Sequence, residues 1–346
     1  KYFVKKDVIY NNFLTIVFFM IKIAIIGAGL SGLSAAYFLK DHVEITLFEK
    51  ACSVSGRIST RYAGPYFFDY GAQYFTVRTR IFHDFIQPLI SQGIIERWSP
   101  RYVKFDRDKI IERKNWRDDE PRYVGVPGMN NIAKYMAEGL NINVNTRIVS
   151  LQSGDAWQLI DESGQLYSDF DWVISTAPSP QTAKILTKKF KFYDDIKNVK
   201  MRACFSLMLG FSENLSLEFE AAHVINSDLS WIAVNSHKPR RTDQFTLIVH
   251  SSAKYSEKHL EDDRKTVMQH LINETGHVIG HDVNTADYKT IHCWRYANNA
   301  KRENCHILLD PELKLAACGD WCLGGRVEGA FVSAYNLVNF MKESVL

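Results

Sequence analysis

The chain has 346 residues, more than one average domain and long enough to bury a sizeable core, so two intimate domains are expected. Its 42 Lys plus Arg against 39 Asp plus Glu leave a formal charge of +3, which gives no reason to invoke nucleic acid or a membrane surface. The six cysteines (Cys52, Cys204, Cys293, Cys305, Cys318 and Cys322) contain no C-x-x-C pair; neither a zinc site nor a disulfide framework is recognisable, and reduced thiols in a cytoplasmic protein fit best.

In chain order, residues 1–19 read as an upstream extension or an optional edge segment, with Met20 as the natural start. Phe13 to Phe19 is apolar and follows Lys5-Lys6, but no small-residue cleavage site precedes the next strand, and the run is too short to span a bilayer. Ile21 to Ile26 is dense in β-branched residues without alternation, which predicts a parallel strand buried on both faces. It runs into Gly27-Ala28-Gly29-Leu30-Ser31-Gly32. Gly27 permits a tight turn, Gly29 lets the backbone approach a pyrophosphate, and Gly32 lets a helix starting near Leu30 pack on the strand. Phosphates are then expected on that helix N-terminus. A second strand, Glu44 to Phe48, ends in Glu49 with Lys50 behind it, about 20 residues past the loop, where an acid hydrogen-bonds a ribose. Strand, loop, helix, strand and acid in this order predict a dinucleotide site.

Asp69-Tyr70-Gly71-Ala72-Gln73-Tyr74-Phe75-Thr76 is strand-like but broken by glycine, as where backbone passes close to a ligand. Phe82 to Gly93 has helical spacing, and Tyr102 to Ile111 reads as antiparallel strands of a second domain. Val124 to Met129 precedes a helix from Asn131 to Gly139, and Ile142 to Val149 alternates as a strand. Trp172 to Pro178 is a strand and turn, followed by a helix at Thr182 to Leu186. Phe205 to Phe211, Trp231 to Ser236 and Phe245 to His250 predict one antiparallel sheet, followed by a charged helix from Glu257 to Glu274. Leu315 to Cys318 reads as a buried strand ending in Gly319-Asp320, and Gly324 to Ala330 leads into a helix running to Phe340. No internal repeat or low-complexity tract interrupts this order.

The segment Ser55-Gly56-Arg57, soon after the acid, resembles the glutathione-reductase-type flavoproteins of the amine oxidase branch, and the resemblance chooses non-covalent FAD over NAD. It implies an α/β (α+β) two-domain fold: a Rossmann-like FAD-binding domain from 20–78, 126–190 and 305–346, and an antiparallel-sheet substrate domain from 79–125 and 191–304. It further implies that Gly56, Arg57 and Ile58 lie by the pyrophosphate. Asp320 after Gly319 would take ribityl and phosphate groups. Arg326-Val327-Glu328-Gly329-Ala330 would turn a positive helix end to the flavin N1/O2 edge, which favours the anionic reduced ring. Ile148 and Ala177 would pass behind the cofactor, and Asp69, Gly71, Ala72, Gln73 and Tyr74 would lie along the isoalloxazine.

From about residue 20 onward the chain also resembles bacterial renalase-like FAD-dependent oxidoreductases of the flavin amine oxidase superfamily. The resemblance rests on Gly56-Arg57 with Thr60-Arg61, Asp69 to Thr76, Val126-Pro127-Gly128-Met129, Trp231-Ile232-Ala233-Val234-Asn235 with Lys238-Pro239, Leu247-Ile248-Val249-His250, Trp294-Arg295-Tyr296-Ala297 and Gly319-Asp320-Trp321-Cys322. It implies an oxidase that takes hydride from the 2- and 6-dihydro isomers of NAD(P)H and passes the electrons to O2, giving NAD(P)+ and hydrogen peroxide. Hydride loss restores ring aromaticity directly, so no general base is required, and no obvious catalytic dyad is present.

Substrate-side candidates are Gln73, Tyr74, Thr76, His250 and Trp294. Tyr74 and Trp294 either wall a planar nicotinamide or belong to the core. His250 either bonds the carboxamide or ribose or is satisfied by backbone. Arg57 and Arg61 are candidates for substrate phosphate, Arg57 being the more readily committed to FAD. The partners expected are a small dinucleotide and O2, with no metal, nucleic acid or membrane. The alternatives are a flavin amine oxidase, which should show facing aromatics near Trp321 and the substrate sheet, a desaturase, or a non-catalytic flavin-binding protein.

Overall fold

The computed structural model describes residues 3–10, 13–116, 120–299 and 307–346, with side chains from Met20 onward. Cys305 and the expected domain edge at 304/305 lie outside the described residues. The chain divides into two compact units, residues 1–56, 133–199 and 300–346 in one, and 57–132 and 200–299 in the other.

The first unit is built on a six-stranded sheet in the order Asn141–Asn143, Glu44–Phe48, Lys22–Ile26, Trp172–Ser175, Leu315–Ala317 and Leu308–Asp310. All neighbours run parallel except the last pair. Ile23, Ala24 and Ile25 are fully buried, which is why the first strand shows no alternation. Two helices pack together in this unit, Leu30–Leu39 and Val327–Ser344, with Phe38 set edge-on against Phe331 and Tyr335 at 5.5 and 5.2 Å. A three-stranded meander, Ile148–Ser153, Trp157–Asp161 and Leu166–Phe170, brings Tyr167 and Phe170 onto Phe48.

The expected strand from Ile142 to Val149 is therefore two strands, Asn141–Asn143 and Ile148–Ser153, in different sheets. The break is a turn with Asn145 at φ 52°. Its N–H groups are taken up by the chain after the second strand, Asn145 donating to Ala51 O and Thr146 to Glu49 O. Among the described residues Phe3–Tyr10 and Phe13–Met20 pair antiparallel with each other as a two-stranded sheet, and neither is an edge strand of the six-stranded sheet.

The second unit holds a seven-stranded sheet in the order Tyr288–Asn299, Met201–Phe211, Phe245–Ser251, Leu229–Val234, Ala221–Ile225, Arg101–Asp106 and Lys109–Asn115. It is not wholly antiparallel as expected, because Ala221–Ile225 and Arg101–Asp106 run parallel. Leu207, Leu247 and Val249 pack with Leu271 and Ile272 of the helix Arg264–Ile279. The alternate residues Met208 and Ile248 pack with Tyr66 and Phe68 of the hairpin Thr60–Ala63/Tyr66–Asp69. A Cβ on Gly210 would come within 2.7 Å of the Tyr66 ring, so glycine lets the hairpin seat on the sheet.

This packing explains why residues 57–78 and 126–132, expected with the nucleotide unit, group with the second unit instead. The expected helix from Glu257 to Glu274 is likewise two helices, Ala253–Lys258 and Arg264–Ile279. Asp263 restarts the chain as an N-cap, accepting from the N–H groups of Lys265 and Thr266 at 3.0 and 2.9 Å.

Candidate functional site

In the first unit, Gly27 turns the chain at φ 103° and its N–H bonds to Phe48 O at 2.8 Å, joining the two central strands. A Cβ on Gly32 would fall 1.9 Å from Gly27 O, so only glycine lets the helix begin against the loop. A Cβ on Gly29 would meet nothing nearer than Gly56 Cα at 3.8 Å, which leaves room over the loop. The helix Leu30–Leu39 has Gly29 as its N-cap with no side-chain cap, so its first N–H groups are offered outward as an anion site.

Glu49 is 7% exposed, and its two carboxylate oxygens accept the N–H groups of Ala28 and Ala51, each at 2.8 Å. An ionised carboxylate has about four acceptor positions. The two left over match the two hydroxyls of a ribose. Lys50 beside it is exposed.

The C-terminal segment of the first unit reaches the same loop, since Ser31 Oγ donates to Ala330 O at 3.0 Å. Gly319 is extended, and a Cβ there would lie 2.3 Å from Trp321 Nε1. Asp320 is 6% exposed, and its carbonyl accepts from Leu323 and Gly325. Trp321 is fully buried and donates to Ala177 O at 3.1 Å, which fixes the turn after Ser175. The helix Val327–Ser344 starts at Arg326, again without a side-chain cap, with Glu328 in its first turn and Gly329 and Ala330 following. Ile148 is buried at the start of its strand. Two uncapped helix starts, a buried acid with spare acceptor positions and a loop with open space above Gly29 fit a dinucleotide cofactor.

Arg57, Ile58, Asp69, Gly71, Ala72, Gln73 and Tyr74 fall in the second unit. Arg57 Nη1 donates to Ala297 O at 3.0 Å, and Arg57 O accepts from Ala72 N at 2.9 Å. Ile58 is buried in the turn Gly56–Ile58. A Cβ on Gly71 would lie 2.0 Å from Arg57 O, so the close approach expected of a ligand there is made by the protein's own backbone. The strand ends at Asp69, and 70–76 is irregular apart from a bridge between Phe75 and Tyr123, which corrects the strand-like reading.

Asp69 is fully buried, and its carboxylate is committed within the second unit rather than offered to a cofactor. Oδ1 accepts from Thr60 Oγ1 and Met129 N at 2.7 and 3.0 Å; Oδ2 accepts from Lys238 Nζ at 3.2 Å and Arg241 Nη2 at 2.6 Å. Burial would raise its pKa, but Lys238, Arg241 and the hydrogen bonds outweigh burial and hold the carboxyl down at about 2. Two cations thus share one carboxylate in a buried setting, and burial lowers Lys238 to about 8 against the pull of Asp69.

Lys238 also donates to Gln73 Oε1 at 3.2 Å, while Gln73 Nε2 donates to the carbonyls of Asp69 and Gly71. The amide is therefore oriented, and its 3.4 Å approach to His250 Nε2 is a weak contact because both amide protons are already used. Burial, helped by the Lys238 charge, lowers His250 to about 4, so the half-buried imidazole is neutral at pH 7. Asn235 ties the loop to the hairpin, donating to Phe67 O at 2.9 Å.

Two aromatic groups complete the second unit. Trp294 donates to Tyr70 O at 2.8 Å and stacks on the Tyr70 ring at 5.1 Å, with Arg61 over the same ring at 5.4 Å. Tyr74 instead meets Trp98, Trp116 and Trp231 at 6.5, 4.9 and 5.6 Å. Thr76 is half-buried just beyond it. Arg241, Trp98, Trp116 and Arg122 were not singled out by sequence reasoning; Lys238-Pro239 was visible only as a motif, and seven tryptophans were the one compositional hint.

Among the described residues no group of three or more His, Cys, Asp or Glu could hold a metal, and no helix is long and apolar enough to cross a membrane. Residues 25–88 match the NAD(P)-binding Rossmann-like domain, and residues 99–339 match the family described as flavin containing amine oxidoreductase. Renalase of Mus musculus is 23% identical over 180 residues, 48% of this chain and 49% of the mouse protein, so the match spans about half of that relative. Coproporphyrinogen III oxidase of Staphylococcus aureus is 29% identical over 93 residues, 26% of this chain and 20% of that protein. A putative protoporphyrinogen oxidase from Exiguobacterium sp. 255-15 superposes with a TM-score of 0.77 at 11% identity, covering 93% of this chain and 99% of the other. Putrescine oxidase bound to putrescine gives 0.66 at 11% identity, covering 94% and 99%. These two structural likenesses speak to the fold alone.

Proposed function

The chain belongs to the flavin containing amine oxidoreductases, an FAD-using family, and from that premise we propose that it oxidises the 2- and 6-dihydro isomers of NAD(P)H to NAD(P)+. Bound FAD supplies the hydride acceptor and the link to O2. In balance, one dihydronicotinamide, one O2 and one solvent proton give NAD(P)+ and one hydrogen peroxide. In the first unit, the N–H groups at the start of Leu30–Leu39 would hold the pyrophosphate, Glu49 the ribose diol, and Asp320 with the Arg326 to Ala330 helix start the flavin end.

The observation that carries the substrate reading is the charge state of the buried polar centre of the second unit. Its carboxylate, Asp69, is held at about 2 by two cations, and its imidazole, His250, is neutral. Asp69 would have to give up its two cationic partners to take a proton, and His250 would have to become an imidazolium beside the Lys238 charge, so neither accepts a proton at neutral pH without a large cost. A dihydropyridine asks for no such base, because loss of hydride alone makes it aromatic. A neutral His250 can hydrogen-bond a carboxamide or ribose without adding charge. The renalase-like motifs, and the partial match to mouse renalase, support the same reading.

The test is anaerobic mixing of the FAD-loaded protein with partly isomerised NADH while flavin bleaching is followed. Rapid bleaching by the isomers and slow bleaching by putrescine or benzylamine is expected. Fast bleaching by amines with none by the isomers would sink the reading in favour of an amine oxidase.

A further inference from the structure

We propose that the ring cluster of Tyr74, Trp98, Tyr102, Trp116 and Trp231 in the second unit is a substrate subsite that selects a planar group bearing a hydrogen-bond acceptor, bound by Trp231 Nε1 and Arg122 Nε, and rejects an ammonium group. The proposal deepens the dihydronicotinamide reading and rests on it, the carboxamide oxygen being the acceptor in that case.

The rings come from separate stretches of chain. Tyr102 and Trp231 lie on strands of the seven-stranded sheet, Trp98 and Trp116 follow the strands Ile95–Arg97 and Lys109–Asn115, and Tyr74 sits in the irregular segment after the hairpin. Trp116 joins them, 4.9 Å from Tyr74, 5.4 Å from Trp98, 5.8 Å from Tyr102 and 6.3 Å from Trp231. Trp98 and Trp116 are buried, whereas Tyr74, Tyr102 and Trp231 are half-buried, so the cluster is accessible on their side.

Two donors in this cluster have no partner among the described residues although their nitrogen atoms are buried: Trp231 Nε1 and Arg122 Nε. Arg122 lies over Trp116 at 4.5 Å and spends its other nitrogens on Glu120, Nη1 on the carbonyl at 2.8 Å and Nη2 on the carboxylate at 3.3 Å. A buried donor left unpaired costs free energy and calls for an explanation. Two of them in one aromatic cluster are explained together by a ligand oxygen.

The charges around the rings oppose an ammonium. Three ring faces already carry protein cations, Arg122 on Trp116, Lys238 on Trp98 at 5.3 Å and Lys114 on Tyr102 at 5.4 Å. The carboxylates nearby are engaged, Glu120 with Arg122, Glu112 with Lys114 at 2.8 Å, and Asp69 with both Lys238 and Arg241. An amine would find cations on the faces that a cage needs and, among the described residues, no free carboxylate to pair with. A neutral amide or a carboxylate would find two donors.

Two variants of the FAD-loaded protein test this. Trp231→Phe keeps a ring and deletes the N–H; Arg122→Lys keeps the charge and deletes the Nε donor. NAD+ is the probe, its Kd read from the perturbation of flavin absorbance, with benzamide and benzylamine as competitors. Each variant should weaken NAD+ by about 5–10-fold, the loss expected for one hydrogen bond, and benzamide should displace NAD+ from the unsubstituted protein better than benzylamine. Unchanged NAD+ binding in both variants, or benzylamine as the better competitor, overturns the subsite while leaving the reaction standing. If the unsubstituted protein binds no NAD+ and oxidises no dihydronicotinamide isomer, the reaction and the subsite both fall. Should Trp231→Phe not fold, Arg122→Lys decides alone.

Discussion

Glu49 and Asp69 are both buried acids, and their partners separate their roles. Glu49 accepts two backbone N–H groups and keeps acceptor capacity, whereas Asp69 is saturated by a hydroxyl, a backbone N–H, a lysine and an arginine. Glu49→Ala should therefore weaken FAD retention by about 10–100-fold, since it removes the proposed ribose acceptor and leaves two N–H groups unpaired. An apoprotein titrated with FAD reads this, and an unchanged Kd would reject the ribose assignment. Asp69→Asn leaves two buried cations without a counter-charge and should cost about 3–5 kcal/mol in urea unfolding.

The same residues set an acid response. Asp69 is held at about 2 against an ordinary 3.8, so its contribution of about 2 kcal/mol is full above pH 4 and is lost as pH falls toward 2. His250, lowered from 6.5 to about 4, gives a term that is lost earlier, as pH falls from 6.5 to 4, because the unfolded chain takes up the proton first. Lys238, lowered from 10.5 to about 8, works at the other end: between those values the unfolded chain holds the proton, and this term favours the fold as pH rises. Unfolding free energies at pH 7, 5 and 4 should fall steadily, and His250→Asn should flatten that stretch; an equal slope in the variant would contradict a half-buried neutral imidazole.

At the scale of elements, the glycines of the phosphate loop divide between fold and ligand. Gly32→Ala places a Cβ 1.9 Å from Gly27 O and must displace the helix, so both stability and FAD binding should drop. Gly29 has ordinary backbone angles, φ −77° and ψ −176°, and open space above it, so Gly29→Ala should leave the apoprotein within about 1 kcal/mol while weakening FAD. Equal thermal midpoints for the two apo variants would contradict this division. The elements that sequence periodicity located well were those whose pattern is local, such as the strand from Lys22 to Ile26 and the helix at Leu30. It failed where a single capping or turn residue decided the matter: Asp263 split one charged run into two helices, and Asn145 split one alternating run into strands of two sheets.

For the whole molecule, a cofactor that binds only the native chain stabilises it by mass action. FAD at 100 times its Kd should add about 2.7 kcal/mol and raise the thermal midpoint by about 4 °C over the apoprotein. A midpoint unaffected by FAD would mean that the cofactor binds native and unfolded chains alike. The α/β class, the glycine loop with its acid, and the use of a chain end far from the start were legible in the amino-acid order, because glycine, β-branched runs and a strand-terminal acid act through neighbours a few residues away. The composition of the polar centre was not. Asp69 meets Lys238 and Arg241 across 169 and 172 residues, and Trp231 meets the rings of Tyr74, Tyr102 and Trp116 from three other stretches, so no local pattern announces either group. Only the tertiary structure, by burying two cations on one carboxylate and leaving two donors unpaired among aromatic rings, decided which charges a substrate would meet.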